Sequence, residues 1–298
     1  MPTDVLTLSS DCLELQLSPS IGGAISRLEY VGPAGGTPIL RKGHSPLENV
    51  LEAASFPLVP YVNRIRGGSF DFRGRTVAIA PNMAGDPSPL HGDGWLNAWD
   101  VESADDGSAL LVYRHEPAEW PWAYEARQEF ALEGGVLDLR LSCRNLSGEP
   151  MPCGLGQHPY FPCTGETRLS TQASHAWTID EKVLPVDRVP ATGRYDLNDR
   201  LICGQDLDNG WGGWSGRALL SDPAWPFEIE LSSPQASFFQ VYSPAGGGIF
   251  VAEPVSHANA ALNAPETEWP ELGMRVLEPG EEMHLDMRIE VRPVDPRG

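Results

Sequence analysis

The chain has 298 residues and a formal net charge of −20 at pH 7, with a pI near 4.6. A chain this acidic lacks the basic patch that neutralises phosphates, so neither nucleic acid nor an anionic membrane is an expected partner. No apolar run approaches the roughly 20 residues of a membrane-spanning helix, and no basic and apolar leader opens the sequence, so we expect a cytoplasmic protein.

The length suits one or two domains, but no linker-like stretch separates two halves. We therefore expect a single domain over residues 1–298. The cysteines are odd in number and include no C-x-x-C pair, which favours reduced structural thiols over a disulfide framework or a zinc site. They are Cys12, Cys143, Cys153, Cys163 and Cys203.

Short segments with two-residue alternation of apolar and polar side chains recur along the chain, each bounded by Gly, Pro, Asp or Asn. Long amphipathic helical patterns are absent, and Pro57 and Pro60 restrict the segment Leu47–Leu58 to a short helical turn. The pattern predicts an all-β fold, a large antiparallel β-sandwich. In chain order the predicted strands are 12–17, 110–113, 126–132, 136–143, 227–231, 237–242 and 284–291.

Three segments combine a titratable side chain with apolar or aromatic neighbours. They contain His91, His158 and, at the end of a strand-like run, Glu253. Read alone, each histidine is more often a core or edge residue and the glutamate a solvated strand end. Together they supply the two groups of different proton affinity that general acid–base catalysis needs, and the nearby aromatics suggest a sugar as the ligand.

Sugars offer a C–H face to aromatic rings and hydroxyls to polar groups. Among the nine tryptophans, Trp95 and Trp211 are the better candidates for sugar contact, because Trp120 and Trp122 belong to a Trp-Pro-Trp turn that favours core packing. The two arginines Arg64 and Arg66 would share one face of an extended strand and could bind an oxygen-rich ligand together. For Arg66, a surface position is slightly favoured.

With these segments in order, the chain resembles the aldose 1-epimerase family, the galactose-mutarotase-like proteins. The resemblance extends nearly end to end, and Gln157 departs from it, since a small polar residue or a histidine commonly precedes the catalytic histidine. The matching motifs are Asn63-Arg64 with Gly68-Ser69-Phe70, Leu90-His91-Gly92, His158-Pro159-Tyr160-Phe161, Leu207-Asp208-Asn209, Glu253-Pro254 with Asn263 downstream, and Leu277-Glu278-Pro279-Gly280-Glu281.

The resemblance implies a β-sandwich that binds a free aldose on an open face and interconverts its anomers. Glu253 would be the general base and His158 the general acid, protonated in the resting complex. His91 and Arg64, with Asn63 beside it, would bind the oxygen on which charge develops. Asp208 would accept hydrogen bonds from hydroxyls, although Asp206 is its rival. The chemistry requires no metal and no organic cofactor. An acidic surface and a free-standing sandwich are compatible with a monomer or a homodimer.

The remaining histidines are interpreted as structural or surface residues. His257 lies four residues after Glu253 and could contact a ligand at the rim of the site, but a solvated loop histidine is the favoured interpretation. The others, His44, His115, His175 and His284, have no motif around them.

Three other functions compete with mutarotation of a neutral aldose. A mutarotase of phosphorylated or sulfonated sugars would use Arg64 with Arg66, but no further basic cluster accompanies them. A non-catalytic carbohydrate-binding protein would have no need of a matched acid and base. A glycoside hydrolase would need a second catalytic carboxylate beside Glu253.

Overall fold

The structure is a computed structural model that describes residues 5–32, 35–43 and 47–294. Strands dominate it. In chain order they are β1 Leu6–Ser9, β2 Leu13–Ser18, β3 Ala24–Gly32, β4 Gly35–Pro38, β5 Pro57–Leu58, β6 Ser69–Phe72, β7 Arg75–Ala78, β8 Asp100–Ala104, β9 Ser108–His115, β10 Tyr124–Glu133, β11 Val136–Asn145, β12 Met151–Cys153, β13 Gly156–Gln157, β14 Tyr160–Pro162, β15 Arg168–Thr171, β16 His175–Ile179, β17 Pro185–Pro190, β18 Arg200–Leu201, β19 Leu207–Gly212, β20 Arg217–Ser221, β21 Phe227–Ser232, β22 Phe238–Ser243, β23 Ile249–Val255, β24 Arg275–Leu277 and β25 Glu282–Pro293.

Helical segments are short. The helix α1 spans Trp269–Leu272, and single 3₁₀ turns connect the strands elsewhere. These turns are Val50–Glu52, Arg66–Gly68, Gly94–Leu96, Gly193–Tyr195, Ala261–Asn263 and Glu266–Glu268. The first of them confirms the short helical turn predicted before Pro57. No helix among the described residues is long and apolar enough to cross a membrane.

Two large antiparallel sheets form the sandwich. One has nine strands in the order β18-β15-β20-β21-β25-β11-β10-β9-β8, and the other follows the order β17-β16-β19-β22-β23-β13-β5 with β14 also paired to β23. The fold also contains a four-stranded sheet (β1 to β4) and two two-stranded sheets (β6 with β7, β12 with β24). The predicted all-β antiparallel sandwich is confirmed, while the single domain over residues 1–298 stays a prediction.

Alternation along the strands explains the common core. In β11 and β25, Leu139, Leu141 and Ile289 are buried, and in β22 and β23 Phe239 and Phe250 are buried in the same apolar cluster. Because alternate side chains of a strand point to opposite faces, the other set of β22 and β23 points away from this core. That outward face of the second sheet carries the candidate site.

One prediction about the cysteines is wrong. The structure joins Cys163 to Cys203 in a disulfide, whereas Cys12, Cys143 and Cys153 carry free thiols. The bond ties the end of β14 to the segment after β18, two places 40 residues apart in the sequence. Spacing along the chain could not reveal this pair, because only the pairing of distant strands brings the two sulfurs together.

Candidate active site

A cavity of about 270 Å³ lies on the outward face of the second sheet. Small-molecule sites typically measure about 300–1,000 Å³, so this volume suits one small ligand. The lining combines titratable, amide and aromatic groups. Its members are Leu51, Phe56, Asn63, Arg64, Met83, Leu90, His91, Trp95, His158, Tyr160, Asp208, Gln240, Tyr242 and Glu253.

Three neighbouring strands supply the floor of the cavity. Glu253 on β23 lies directly opposite Gln240 on β22, and Asp208 on β19 lies opposite Tyr242. The amide Nε2 of Gln240 donates to Oδ1 of Asp208 at 3.0 Å. The side chain of Glu253 is buried, and its Oε2 has no hydrogen-bond partner in the described part of the chain. The floor therefore presents an oxygen that can accept a hydrogen bond from a ligand.

His158 is held against this floor by backbone and ring contacts. It follows β13, and its N–H donates to the carbonyl of Phe56 at 3.0 Å. Its imidazole stacks on the Phe56 ring with 4.5 Å between centroids, and Tyr160 packs at 4.6 Å. The guanidinium of Arg41 lies 3.5 Å from the centroid of the Tyr160 ring. This packing fixes the plane of the imidazole and leaves only 11% of the side chain exposed, toward the cavity.

The Nε2 of His158 lies 3.2 Å from Oε1 of Glu253. Burial lowers the pKa of His158 to about 3, and the charge of Arg41 adds to this effect. Burial also raises the pKa of Glu253 well above its usual value, and the nearby Asp208 carboxylate raises it further. In the absence of ligand, burial therefore favours the neutral form of each member of the pair. The protonated His158 expected in the complex with sugar stays a prediction.

His91 approaches His158 edge to face, with 5.4 Å between ring centroids. Its Nδ1 accepts a hydrogen bond from the N–H of Asn63 at 3.1 Å, and burial holds the pKa of His91 well below its usual value. The ring is therefore neutral with its proton on Nε2. His91 can donate one hydrogen bond from Nε2 without changing its charge.

Arg64 brings a positive charge to the same cavity. Its Nε donates to Oδ2 of Asp86 at 2.8 Å, and its Nη1 donates to Oδ1 of Asn63 at 3.1 Å. The side chains of Arg64 and Asp86 are only 11% and 9% exposed, so Asp86 balances most of this charge inside the protein. Burial raises the pKa of Asp208, and Arg64 opposes that shift.

Arg66 does not join Arg64 in the cavity. It begins the turn Arg66–Gly68 instead of continuing a strand, and its guanidinium is exposed and donates to the carbonyl of Pro185. The expectation that the two arginines share a face is wrong, because alternation applies only to extended backbone. The surface position favoured for Arg66 is confirmed.

The two candidate tryptophans have different locations. Trp95 lines the cavity and stacks on Phe56 at 5.3 Å, while its indole N–H donates to the carbonyls of Leu90 and Gly92. Trp211 is fully buried in the core and donates to the carbonyl of Tyr195. The prediction for Trp211 is wrong, because three residues along β19 separate it from Asp208 and so place the two on opposite faces.

The cavity distinguishes the rival residues Asp208 and Asp206. Asp208 lines it, while Asp206 is exposed in a left-handed backbone conformation before β19.

His257 is buried, contrary to expectation. It is 2% exposed, and its Nε2 accepts a hydrogen bond from the N–H of Val62 at 2.9 Å. The interpretation of His257 as a solvated histidine is wrong. His44 lies outside the described residues.

Several lining residues had no chemical signal in the sequence. Gln240 and Tyr242 lie on the outward face of β22. The alternation in segment 237–242 predicted this strand but identified no role for either residue. Phe56 and Tyr160 stood in short motifs but their contacts with His158 depend on the pairing of distant segments. Gln157, the departure from the family pattern, is buried behind the site and donates to Gln128 at 3.2 Å.

Within the described ranges, no group of three or more His, Cys, Asp or Glu side chains is arranged to hold a metal ion. The cavity thus offers two carboxyl groups, two neutral imidazoles and one balanced arginine. Such a set can exchange protons with a hydroxylated ligand and bind its oxygens. Fold and site together therefore define a class of protein, the β-sandwich that carries acid–base groups on its open face.

The comparisons with known proteins agree with this class. The family model for aldose 1-epimerase matches residues 4–290, and the chain belongs to that family. The uncharacterized protein YphB of Escherichia coli K12 is 34% identical over 96% of this chain and 98% of its own length.

Solved structures extend the likeness. The crystal structure of an Escherichia coli K12 protein conjectured to be an aldose 1-epimerase has a TM-score of 0.89 and 32% identity, covering 97% of this chain and 99% of that one. A galactose mutarotase-like protein from Clostridium acetobutylicum has a TM-score of 0.84 at 17% identity, covering 97% and 95% of the two chains. At that identity the second comparison supports the fold alone.

Proposed function

We propose that the protein is a mutarotase that interconverts the α and β anomers of a neutral free aldose such as galactose or glucose. The contact between Glu253 and His158, 3.2 Å apart in a cavity of 270 Å³, carries the proposal. A proton acceptor and a proton donor in contact are what ring opening of a cyclic hemiacetal needs. The family supports the reaction class.

The reaction requires two proton transfers that cancel. The pair contains the same number of protons whether both groups are neutral or Glu253 is ionised and His158 is protonated. Hydroxyls of a bound sugar can therefore convert the neutral form into the charged form without proton uptake from solvent. Glu253 then takes the proton of the anomeric hydroxyl, and Nε2 of His158 gives its proton to the ring oxygen. The bond between C1 and the ring oxygen breaks as C1 becomes an aldehyde carbon.

Rotation about the C1–C2 bond presents the other face of the aldehyde. The ring oxygen then attacks C1, its proton returns to His158, and Glu253 returns the proton to the anomeric oxygen. The enzyme is unchanged at the end of the cycle. The Nε2–H of His91 and the guanidinium of Arg64 donate to the oxygen on which negative charge develops, which lowers the barrier electrostatically.

The charges in the cavity favour a neutral sugar. Asp208 and Glu253 both contribute carboxyl groups, and Asp86 already pairs with Arg64. A phosphate or sulfonate would therefore meet no unmatched cation from Arg64, and Arg66 is directed elsewhere. Asp208, oriented by Gln240, accepts hydrogen bonds from ring hydroxyls instead.

Anomer exchange of freshly dissolved α-galactose and α-glucose, followed by polarimetry or NMR, tests the proposal. A wider panel should include other aldoses and a hexose 6-phosphate. Acceleration by the wild type that Glu253→Gln lacks would support it. Faster exchange of the phosphorylated sugar would instead favour the phosphosugar enzyme, and sugar binding without acceleration would favour the carbohydrate-binding protein.

A further inference from the structure

A second cluster of titratable groups lies behind the loop that carries His91. Its centre is Asp93, whose carboxylate accepts hydrogen bonds from three side chains. The Tyr113 hydroxyl donates to Oδ2 at 2.9 Å, the Tyr124 hydroxyl donates to Oδ1, and Nδ1 of His115 lies 2.5 Å from Oδ2. The cluster borders a separate cavity of about 210 Å³. None of these groups belongs to the acid–base pair described above.

The contacts of His115 define its charge. Its Nε2 lies 2.9 Å from the carbonyl oxygen of Trp120, which can only accept a hydrogen bond. Its Nδ1 faces the Asp93 carboxylate, which also accepts. Both ring nitrogens must therefore bear protons, which makes His115 an imidazolium paired with a carboxylate. Burial opposes the charge, but Asp93 prevails and the pKa of His115 is raised above its usual value.

Only Gly92 separates Asp93 from His91. His91 adopts a left-handed backbone conformation with φ of 61°, which is strained for a residue with a Cβ, and Gly92 continues it with φ of 70°, which glycine adopts freely. On the other side of Asp93, the N–H of Gly94 donates to the carbonyl of Val59 at 3.2 Å. A strained conformation persists only where its surroundings hold it. The three donors to Asp93 hold the loop in addition to the hydrogen bonds from Trp95 to the Gly92 carbonyl and from the Asn63 N–H to the His91 ring.

We propose that the ion pair of His115 with Asp93 is a proton-dependent clasp that positions His91 in the candidate active site. His115 borders the separate cavity and does not line the candidate active site, so it acts through the loop as a positioning residue. The inference rests on the proposed function, because it concerns the regulation of the same site. Loss of the proton from His115 weakens the hold on Asp93 and lets the imidazole of His91 leave its productive position.

Other titratable groups surround the clasp. Tyr113 and Tyr124 face it from β9 and β10, and Tyr61 faces Asp93 from the segment after β5. Glu116 follows His115, and Cys143 on β11 lies near Tyr124. Glu119 borders the same cavity. Burial and Asp93 keep the phenols protonated, and Glu116 favours the charged form of His115 as Asp93 does. Among the imidazole and phenol groups of the clasp, His115 is therefore the first to lose a proton as the pH rises.

The charge of His115 can be measured directly by NMR of the full chain with ¹⁵N-labelled histidine, assigned by comparison with His115→Gln. Both ring nitrogens should be protonated at pH 7 in the wild type, and Asp93→Asn should leave His115 neutral there. The Nε2 resonance of His91 should shift as His115 titrates, and this response should vanish in Asp93→Asn. A neutral wild-type His115 at pH 7, or a His91 signal indifferent to its titration, would overturn the proposal.

Turnover against pH gives the functional test. Displacement of a catalytic group by an ångström can cost roughly 100-fold, so we expect His115→Gln to lower kcat by about 10- to 100-fold, with KM little changed. In the wild type, kcat should decline with rising pH as His115 deprotonates, whereas the kcat of His115→Gln should show no such decline. At high pH the two proteins should have the same kcat. The exposed His284 provides the matched control, since His284→Gln should behave as wild type.

The possible failures are distinguishable. If His115→Gln lowers kcat but keeps the wild-type pH dependence, His115 is only structural and the clasp is refuted. If the wild type accelerates anomer exchange of no sugar at any pH, the proposed function fails, while the NMR titrations still decide whether the clasp exists. Circular dichroism of both variants establishes that they are folded before either conclusion is drawn.

Discussion

Glu253 and His158 form a buried pair whose proton affinities burial shifts in opposite directions. With Oε1 and Nε2 3.2 Å apart, one proton can move between them without crossing solvent. A free carboxylate or imidazolium would cost desolvation energy here, and the neutral pair avoids that cost until a polar ligand arrives. The pair is thus stable when empty and can become charged when hydroxyls surround it.

Replacement of Glu253 by glutamine removes the proposed base and retains its size and much of its hydrogen bonding. We expect Glu253→Gln to lower kcat for anomer exchange by about 10²–10⁴-fold, the usual contribution of one acid–base group. Polarimetry with saturating sugar measures the loss. Glu228→Gln, on the exposed face of β21, is the matched control and should retain wild-type turnover. A Glu253→Gln enzyme within a few-fold of wild type would remove Glu253 from the role.

Replacement of His158 by asparagine tests the acid separately. Asparagine cannot deliver a proton to the ring oxygen, so kcat should again fall by about 10²–10⁴-fold. Because Asp208, Arg64 and His91 would still bind the sugar in their proposed roles, the dissociation constant should change much less than kcat. Isothermal titration measures the affinity and polarimetry the rate. Equal losses in affinity and rate would show that His158 serves mainly to bind the sugar.

The sequence predicted the strands well because period-two alternation depends only on which face is buried. The same rule, carried along β19, would have excluded Trp211 once Asp208 was assigned to the open face. The position of Arg66 could not be predicted, since the turn that begins there interrupts the strand pattern on which the argument depended. The contacts of Gln240 and Phe56 depend on the pairing of distant segments. Composition and spacing carry no information about that pairing, so these contacts could not be predicted.

The acid stability of the protein should depend on His257. Burial lowers its folded pKa to about 4, from a usual value of 6.5. Between pH 6.5 and pH 4 the His257 imidazole is protonated in the unfolded chain and neutral in the folded protein. The free energy of unfolding is therefore at its full value above pH 6.5 and decreases as the pH falls toward 4. The loss amounts to about 1.4 kcal/mol per pH unit for one group.

His257→Gln separates titration from structure, because the glutamine carbonyl can still accept from the N–H of Val62 but does not titrate. Urea unfolding at pH 7 and pH 5 measures the free energy of unfolding for both proteins. The difference between the two pH values should be smaller in the variant by about 2 kcal/mol. The same change introduced at exposed His284 should leave the difference as in the wild type, and equal slopes for wild type and His257→Gln would contradict the assignment.

The two faces of β19 should respond differently to substitution. Asp208→Asn removes a charged acceptor from the cavity, and a hydrogen bond to a charged group is worth about 1.5–3 kcal/mol. We therefore expect KM to rise by about 10- to 100-fold, with little loss of stability because a buried carboxylate is also removed.

Trp211→Phe keeps an aromatic ring in the core but leaves the carbonyl of Tyr195 without its indole donor. The free energy of unfolding should fall by about 1–3 kcal/mol, while KM stays at the wild-type value because the ring is on the face opposite the cavity. Urea unfolding and anomer-exchange kinetics on both variants measure the contrast. A raised KM in folded Trp211→Phe, at unchanged kcat, would mean that the core face of β19 influences sugar binding and would refute this separation of roles.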